Sequence, residues 1–240
     1  MSLHDENSAD AASRRERLSR ALGYRFTNES LLLKALTHRS HSADNNERLE
    51  FLGDAMLNLA IGAEVFHLRP KASEGDLSRL RASLVREETL AAAARRLPLS
   101  DAVRLGSGEL KSGGFRRDSI LADALEALIG AVYLDGGFEP AVQLCQRLLA
   151  PELEKLPSVG SLKDPKTRLQ EALQAESRPL PEYAVLREEG PPHRRQFSVQ
   201  CRLPDSGDDV VADGLSRRNA EQQAAQRMLD RIQQQENKHA

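Results

Sequence analysis

The stretch Asn46-Glu47-Arg48-Leu49-Glu50-Phe51-Leu52-Gly53-Asp54 decides how this chain of 240 residues is read. Glu47, Glu50 and Asp54 stand at i, i+3 and i+7. At about 100° per residue they fall within about 60° of one helix face. Leu49, Phe51, Leu52, Ala55, Met56, Leu57 and Leu59 fill the other directions, which predicts a largely buried helix from Glu47 to Phe66. Three like charges aligned on such an element repel one another and lose hydration, a state that a bound cation relieves.

A second set of acids, Asp123 and Glu126, punctuates Ile120-Leu121-Ala122-Asp123-Ala124-Leu125-Glu126-Ala127-Leu128-Ile129 at i and i+3. Acids one turn apart on a helix are usually a solvated face. The apolar surroundings here point instead to two core helices whose acids share one site. Oxygen ligands favour a hard cation, Mg²⁺ or Mn²⁺, over zinc. No Glu-x-x-His occurs on either helix, which counts against a di-iron bundle. Mg²⁺ held by several carboxylates suits phosphodiester hydrolysis, in which it activates water and stabilises the leaving oxygen. Between the two helices runs Gly106 to Ser119, a glycine-rich loop that offers Lys111, Arg116 and Arg117 to an anion, or is simply a mobile basic loop.

Outward from these helices, residues 1 to about 13 are polar and aperiodic and read as disordered. Helical spacing follows at Leu18 and Leu22, stopped by Gly23, and at Glu29–Leu36 capped by Asn28. It continues over Glu74–Val85, Glu88–Leu97, Ser119–Leu134 and Phe138–Leu153. No alternation of period two precedes Pro157, so the N-terminal part is all-α. Lys155 to Ser161 is a Pro/Gly/Ser linker. Asp164-Pro165 then starts a helix to about Ala175. Alternating runs at Glu182–Arg187, Arg195–Leu203 and Asp209–Leu215 follow, and Ser216 caps a last helix. This α-β-β-β-α order gives a small α+β unit. The expected division is 14–154, a linker at 155–163, and 164–234.

On the first helix of that unit Thr167, Gln170 and Glu171 share a hydrogen-bonding face suited to 2′-hydroxyls in a shallow groove, or an ordinary solvated one. Arg217 and Arg218 open the last helix. Cations there oppose the helix dipole by roughly 0.3–1 kcal/mol each, and a bound phosphate reverses the sign.

Hydrophobic residues are 40% of the chain and charged residues 29%. A mean hydropathy of −0.52 and no long apolar run exclude a membrane-spanning helix. Met1 to Ala12 has no apolar stretch to serve as a signal sequence, which predicts cytosolic residence. Cys145 and Cys201 are too few for a disulfide framework. The net charge of −2 does not announce a nucleic-acid partner. Aromatics at 4%, with no Trp, argue against a single-strand stacking platform.

The nine-residue stretch resembles the signature of the bacterial ribonuclease III family. So do Leu36-Thr37-His38-Arg39-Ser40, Glu74-Gly75-Asp76-Leu77-Ser78-Arg79, the Gly108–Arg117 loop and Ala122-Asp123-Ala124-Leu125-Glu126-Ala127, in the same order. Asp164 to about Leu229, with Gly190-Pro191-Pro192-His193 and Ser216-Arg217-Arg218, is similar to a double-stranded-RNA-binding domain. The resemblance implies an all-α endonuclease domain followed by that module. Glu50, Asp123 and Glu126 match the metal ligands, and Asp54 and Glu126 the catalytic pair. Glu47 and Glu74 match supporting acids, Phe51 an aromatic at the dimer interface, and His193 an RNA contact. It further implies a Mg²⁺-dependent homodimer (Mn²⁺ substituting) that cuts double-stranded RNA, leaving 5′-phosphates, 3′-hydroxyls and short 3′ overhangs. Its work would be the processing of rRNA, mRNA and tRNA precursors. Two rivals are a non-catalytic duplex-RNA-binding dimer, which the intact acids oppose, and a helical phosphohydrolase for small nucleotides, which leaves the second module unexplained. One departure stands out: from Asp164 to Ala240 there are 12 Lys+Arg against 13 Asp+Glu, so this half should bind duplex RNA modestly and with marked salt sensitivity.

Overall fold

The structure is a computed structural model that describes residues 3–158, 162–191 and 194–239, with the side chains of 3–9 and 236–239 outside the description. It divides into two compact units, Met1–Val159 and Gly160–Ala240. The first is helical: α1 (Leu3–Leu22), α2 (Glu29–Ala35), α3 (Glu47–Leu68), α4 (Glu74–Val85), α5 (Glu87–Arg95), α6 (Ser107–Lys111), a 3-10 turn (Gly114–Arg116), α7 (Asp118–Gly136) and α8 (Phe138–Glu154). α7 is the axis. Ile120, Leu121, Leu125, Leu128, Ile129 and Val132 are buried along it, and α2, α3, α5 and α8 lie around it.

The helix boundaries follow local chemistry. Asn28 caps α2 by accepting from Ser30 N–H, and Ser73 caps α4 by accepting from Asp76 N–H. Asp135, near the end of α7, accepts 2.8 Å hydrogen bonds from Thr27 N–H, Asn28 N–H and Tyr24 O–H. Burial pushes its pKa up, but the two backbone amides and the hydroxyl outweigh this and hold it below the usual carboxylate range.

Three sequence expectations change. Of the segment read as disordered, residues 3–13 belong to α1, and residues 1 and 2 lie outside the described residues. Ala9, Ala11 and Ala12 favour helix, Arg14 pairs with Asp10 one turn back, and Arg14 Nη1 donates to the Asp101 carbonyl at 3.3 Å. The glycine-rich loop holds α6 and the 3-10 turn, because Glu109 on α6 turns back to pair with Arg117 at 3.2 Å. α3 is not largely buried. Phe51, Leu59 and Phe66 are 79%, 56% and 63% exposed, and with Ala55 they fall within about 80° of one stripe. Periodicity counts apolar positions and cannot say how many flanks the fold covers. Here α4, α7 and α8 cover the rest of α3. By length and composition α3 is also the one helix among the described residues that could cross a membrane. Its buried Leu49, Met56, Leu57, Ile61 and Val65 make it a core helix.

The second unit runs α9 (Pro165–Ala175), β1 (Glu182–Glu189), β2 (Gln196–Arg202), β3 (Asp209–Gly214) and α10 (Arg217–His239). The three strands form an antiparallel sheet in sequence order. Tyr183, Cys201 and Val210 stand in one register row, and the β1–β2 register shifts between Val185 and Arg187. One sheet face meets α9 and α10 over a core of Leu169, Leu173, Cys201, Ala212, Ala225 and Met228. Asp164 accepts from Thr167 N–H with Pro165 at the first helical position, and Ser216 Oγ accepts from Asn219 N–H at 3.1 Å.

Candidate active site

Two glycines set the distance between the acid-bearing helices. A Cβ on Gly53 of α3 would sit 1.8 Å from the Glu126 carbonyl oxygen, and one on Gly130 of α7 would sit 2.2 Å from that of Leu49. Main chain therefore rests on main chain where the helices cross, and the side chains one turn away are brought within reach of each other.

Those side chains are Glu50, Asp123 and Glu126, half-buried, each with a carboxylate oxygen within 4.8 Å of the others'. Burial first, then the fields of Asp54, Asp123 and Glu50, pushes Glu126 up to about 8. Burial followed by Asp123, Glu47 and Asp54 raises Glu50, against the opposing field of Arg39. Burial followed by Glu87 raises Asp123, against His38 and Arg39. Three acids that resist ionisation together are short of a cation. Octahedral Mg²⁺ has ligands at about 2.1 Å, which sets ligand oxygens ~3.0–4.2 Å apart, so the trio, within 4.8 Å, fits one divalent ion after rotamer adjustments that draw it together.

The other singled-out residues lie as follows. Asp54 is exposed one turn along α3, outside the trio, and accepts from Asn58 Nδ2 at 2.8 Å. Glu47 is also outside it, 3.4 Å from Arg39 Nη1 and bonded by Asn45 Nδ2 at 3.2 Å. Glu74 accepts from Ser78 Oγ at 2.8 Å, within α4. The shared helix face read for Glu47, Glu50 and Asp54 is thus real as direction, but only Glu50 joins Asp123 and Glu126 in the trio, while Asp54 acts on Glu126 through its field. Sequence reasoning assigned no role to Arg39, Asn45 or Glu87; Arg39 and Glu87 lie on other segments, and Asn45 precedes the cap of α3, outside the helical spacing. His38, Arg39, Asn46, Glu47, Glu50 and Asp123 line a cavity of about 210 Å³.

On the RNA-facing candidates, Lys111 and Arg116 are exposed, the latter over the Phe115 ring at 5.1 Å. Arg117 is paired to Glu109 and Arg217 to Glu221 at 2.9 Å, while Arg218 is exposed. Thr167 Oγ1 donates to Asp164, and Glu171 takes Lys163 at 2.6 Å, leaving Gln170 exposed beside them. His193 lies outside the described residues.

A helical unit with converging carboxylates, joined to an α-β-β-β-α unit, defines a carboxylate-site hydrolase carrying a nucleic-acid-type module. The chain matches the family model described as Ribonuclease-III-like over residues 28–153, and the Double-stranded RNA binding motif over residues 165–232. It is 55% identical to Ribonuclease 3 of Alkalilimnicola ehrlichii over 94% of this chain and 97% of that protein. It is 57% identical to Ribonuclease 3 of Azotobacter vinelandii over 87% and 91%. A solved nuclease domain of ribonuclease III from Campylobacter jejuni, reported for structural flexibility in a region involved in dimer formation, superposes with a TM-score of 0.55. That domain is 48% identical and matches 59% of this chain and 96% of its own. The chain belongs to the ribonuclease III family.

Proposed function

We propose that this protein is a divalent-metal-dependent endoribonuclease that hydrolyses phosphodiester bonds in double-stranded RNA and processes rRNA and other precursor transcripts. The observation that carries the reading is the oxygen-only trio Glu50, Asp123 and Glu126 in a family whose second module is a double-stranded RNA binding motif. The domains of this reading are 14–154 for catalysis and 164–234 for RNA binding, joined by 155–163. Mg²⁺, with Mn²⁺ as substitute, is the ion these ligands favour. When bound it supplies Lewis acidity at the scissile phosphate and acidifies water.

The chain's own residues do the rest. Glu50, Asp123 and Glu126 hold the ion. Asp54, steadied by Asn58, presents its carboxylate to orient the attacking water. Glu47 and Glu74 serve at the edge of the site. The products are 5′-phosphates and 3′-hydroxyls with short 3′ overhangs. Phe51, on the uncovered stripe of α3, seats a second copy of the chain, so that two sites face one duplex. Lys111, Arg116, Arg117, Thr167, Gln170, Glu171, His193, Arg217 and Arg218 meet the RNA. Two buried reduced cysteines accord with residence in the cytoplasm.

The test is cleavage of a long duplex in Mg²⁺. Wild type yields short 5′-phosphorylated duplexes, and Glu126→Gln binds the duplex without cutting it. Wild-type cleavage by Glu126→Gln would overturn the assignment.

A further inference from the structure

The connection from α2 to α3 is tied down at nearly every residue. His38 N–H donates to the Arg104 carbonyl at 3.0 Å, Arg104 N–H to that of Leu36 at 2.7 Å, and Asn46 N–H to that of Thr37 at 2.9 Å. His38 Nδ1 lies 2.8 Å from Ser40 Oγ, and Ser40 Oγ accepts from Gly106 N–H at 2.9 Å. Arg104 Nη1 donates to Thr37 Oγ1 at 3.0 Å, and Arg104 Nη2 lies 2.9 Å from His41 Nε2.

Arg39 stands between two of these anchored residues, yet among the described residues its guanidinium has a single contact, 3.4 Å from Glu47, and the side chain is 71% exposed. It lines the same cavity as Glu50 and Asp123. The backbone beneath it is fixed and the charged end is held only by that long contact. A cation present only to neutralise the acids would be expected to lie buried and doubly bonded among them. This one sits at the rim with most of its five N–H donors unused.

We propose that Arg39 binds a backbone phosphate of the duplex beside the carboxylate trio, and that Glu47 aims Arg39 rather than ligating the ion. The inference rests on the reading of the protein as a nuclease of double-stranded RNA. The planar guanidinium matches a phosphate with two parallel hydrogen bonds. Its long contact to Glu47 is an exposed ion pair of little strength, so exchange for phosphate is easy. The acids themselves repel RNA, and a fixed cation at their edge lets a strand approach.

The test uses the full chain in the Glu126→Gln background, with affinity for a defined RNA hairpin measured across salt concentration. Adding Arg39→Ala weakens binding about tenfold and makes the slope of log K against log salt shallower by about 0.9 for each Arg39 engaged. Arg39→Lys restores the slope but not the full affinity, because charge returns without the fork. In the otherwise wild-type enzyme, Glu47→Gln raises KM several-fold with kcat and the midpoint of the metal titration little changed. An unchanged salt slope in Arg39→Ala, or a metal midpoint moved by Glu47→Gln as far as by Glu50→Gln, overturns the proposal. Wild-type protein that neither holds nor cuts duplex RNA overturns the functional reading instead, so the two failures are told apart.

Discussion

Replacing Gly53 by Ala should part the two acid-bearing helices. The added Cβ would fall 1.8 Å from the Glu126 carbonyl oxygen, about 1.6 Å inside ordinary van der Waals contact at ~3.4 Å. The obstacle is main chain at the middle of α7, so no side chain can rotate away and the helices must separate by roughly 1 Å or more. Overpacking of this kind costs about 1–3 kcal/mol. Ala for Gly in a helix returns up to ~1 kcal/mol, and the upper end of the penalty applies to a rigid neighbour. A net loss of about 2 kcal/mol corresponds to a fall in Tm of roughly 4–8 °C for a unit of this size. Cleavage should suffer more, because a misplacement near 1 Å costs on the order of 100-fold. Gly62→Ala is the control: it makes the same change on the same helix, where the new Cβ meets only Arg81 Cδ at 3.6 Å. It should leave cleavage unchanged and raise Tm slightly. Thermal melts and initial cleavage rates of the two variants decide the matter. Indistinguishable results would refute the idea that main-chain contact sets the site.

Further consequences can be measured on the same protein. Phe51→Ala should weaken self-association roughly 10²–10⁴-fold by sedimentation, since burying a Phe contributes about 1.5–3 kcal/mol and a two-fold interface buries it twice; an unchanged dimer would remove Phe51 from the interface. Asp135→Asn should cost about 1–2 kcal/mol near pH 7. Because the folded pKa of Asp135 is lowered, its contribution is present above the unfolded value of about 3.9 and fades as pH falls through the folded one. The Tm gap to wild type should therefore narrow as pH falls below about 3.9, and a gap independent of pH contradicts the assignment. Mg²⁺ at 100 times its Kd should stabilise wild type by about 2.7 kcal/mol, some 5–10 °C in Tm. Glu126→Gln should lose most of that rise; if it kept the full rise, the trio would not be the binding site.

The helices and strands were legible because their signals are local. Asn28, Ser73, Asp164 and Ser216 sit where a cap is needed, and Leu, Ile and Ala recur at helical spacing. That acids of the two helices converge was legible from their apolar surroundings, but which of Glu47, Glu50 and Asp54 joins Asp123 and Glu126 was not; the family resemblance alone singled out Glu50. The remainder is tertiary. Whether Phe51 faces core or solvent depends on how many helices surround α3, which no window of sequence contains. Arg39 is legible only as part of the Leu36–Ser40 run, with no role of its own, because the contacts that fix its flanks come from Arg104 and Gly106, far along the chain. The apparent loose basic loop is folded structure, and a carboxylate eight residues back reaches Arg117 because α6 has formed, a relation no local pattern announces.

The small C-terminal unit keeps most of its cations at home. Lys163 holds Glu171, Lys166 and Arg217 share Glu221, Arg178 holds Asp205, and Arg231 holds Asp208. A polyanion arriving there must displace tethered carboxylates rather than drifting counterions, so generic attraction to DNA or single strands is blunted and fit to groove shape weighs more. The expected consequence is brief residence on each cut duplex, readable as a fast off-rate, which for an enzyme that must find another substrate favours turnover over grip.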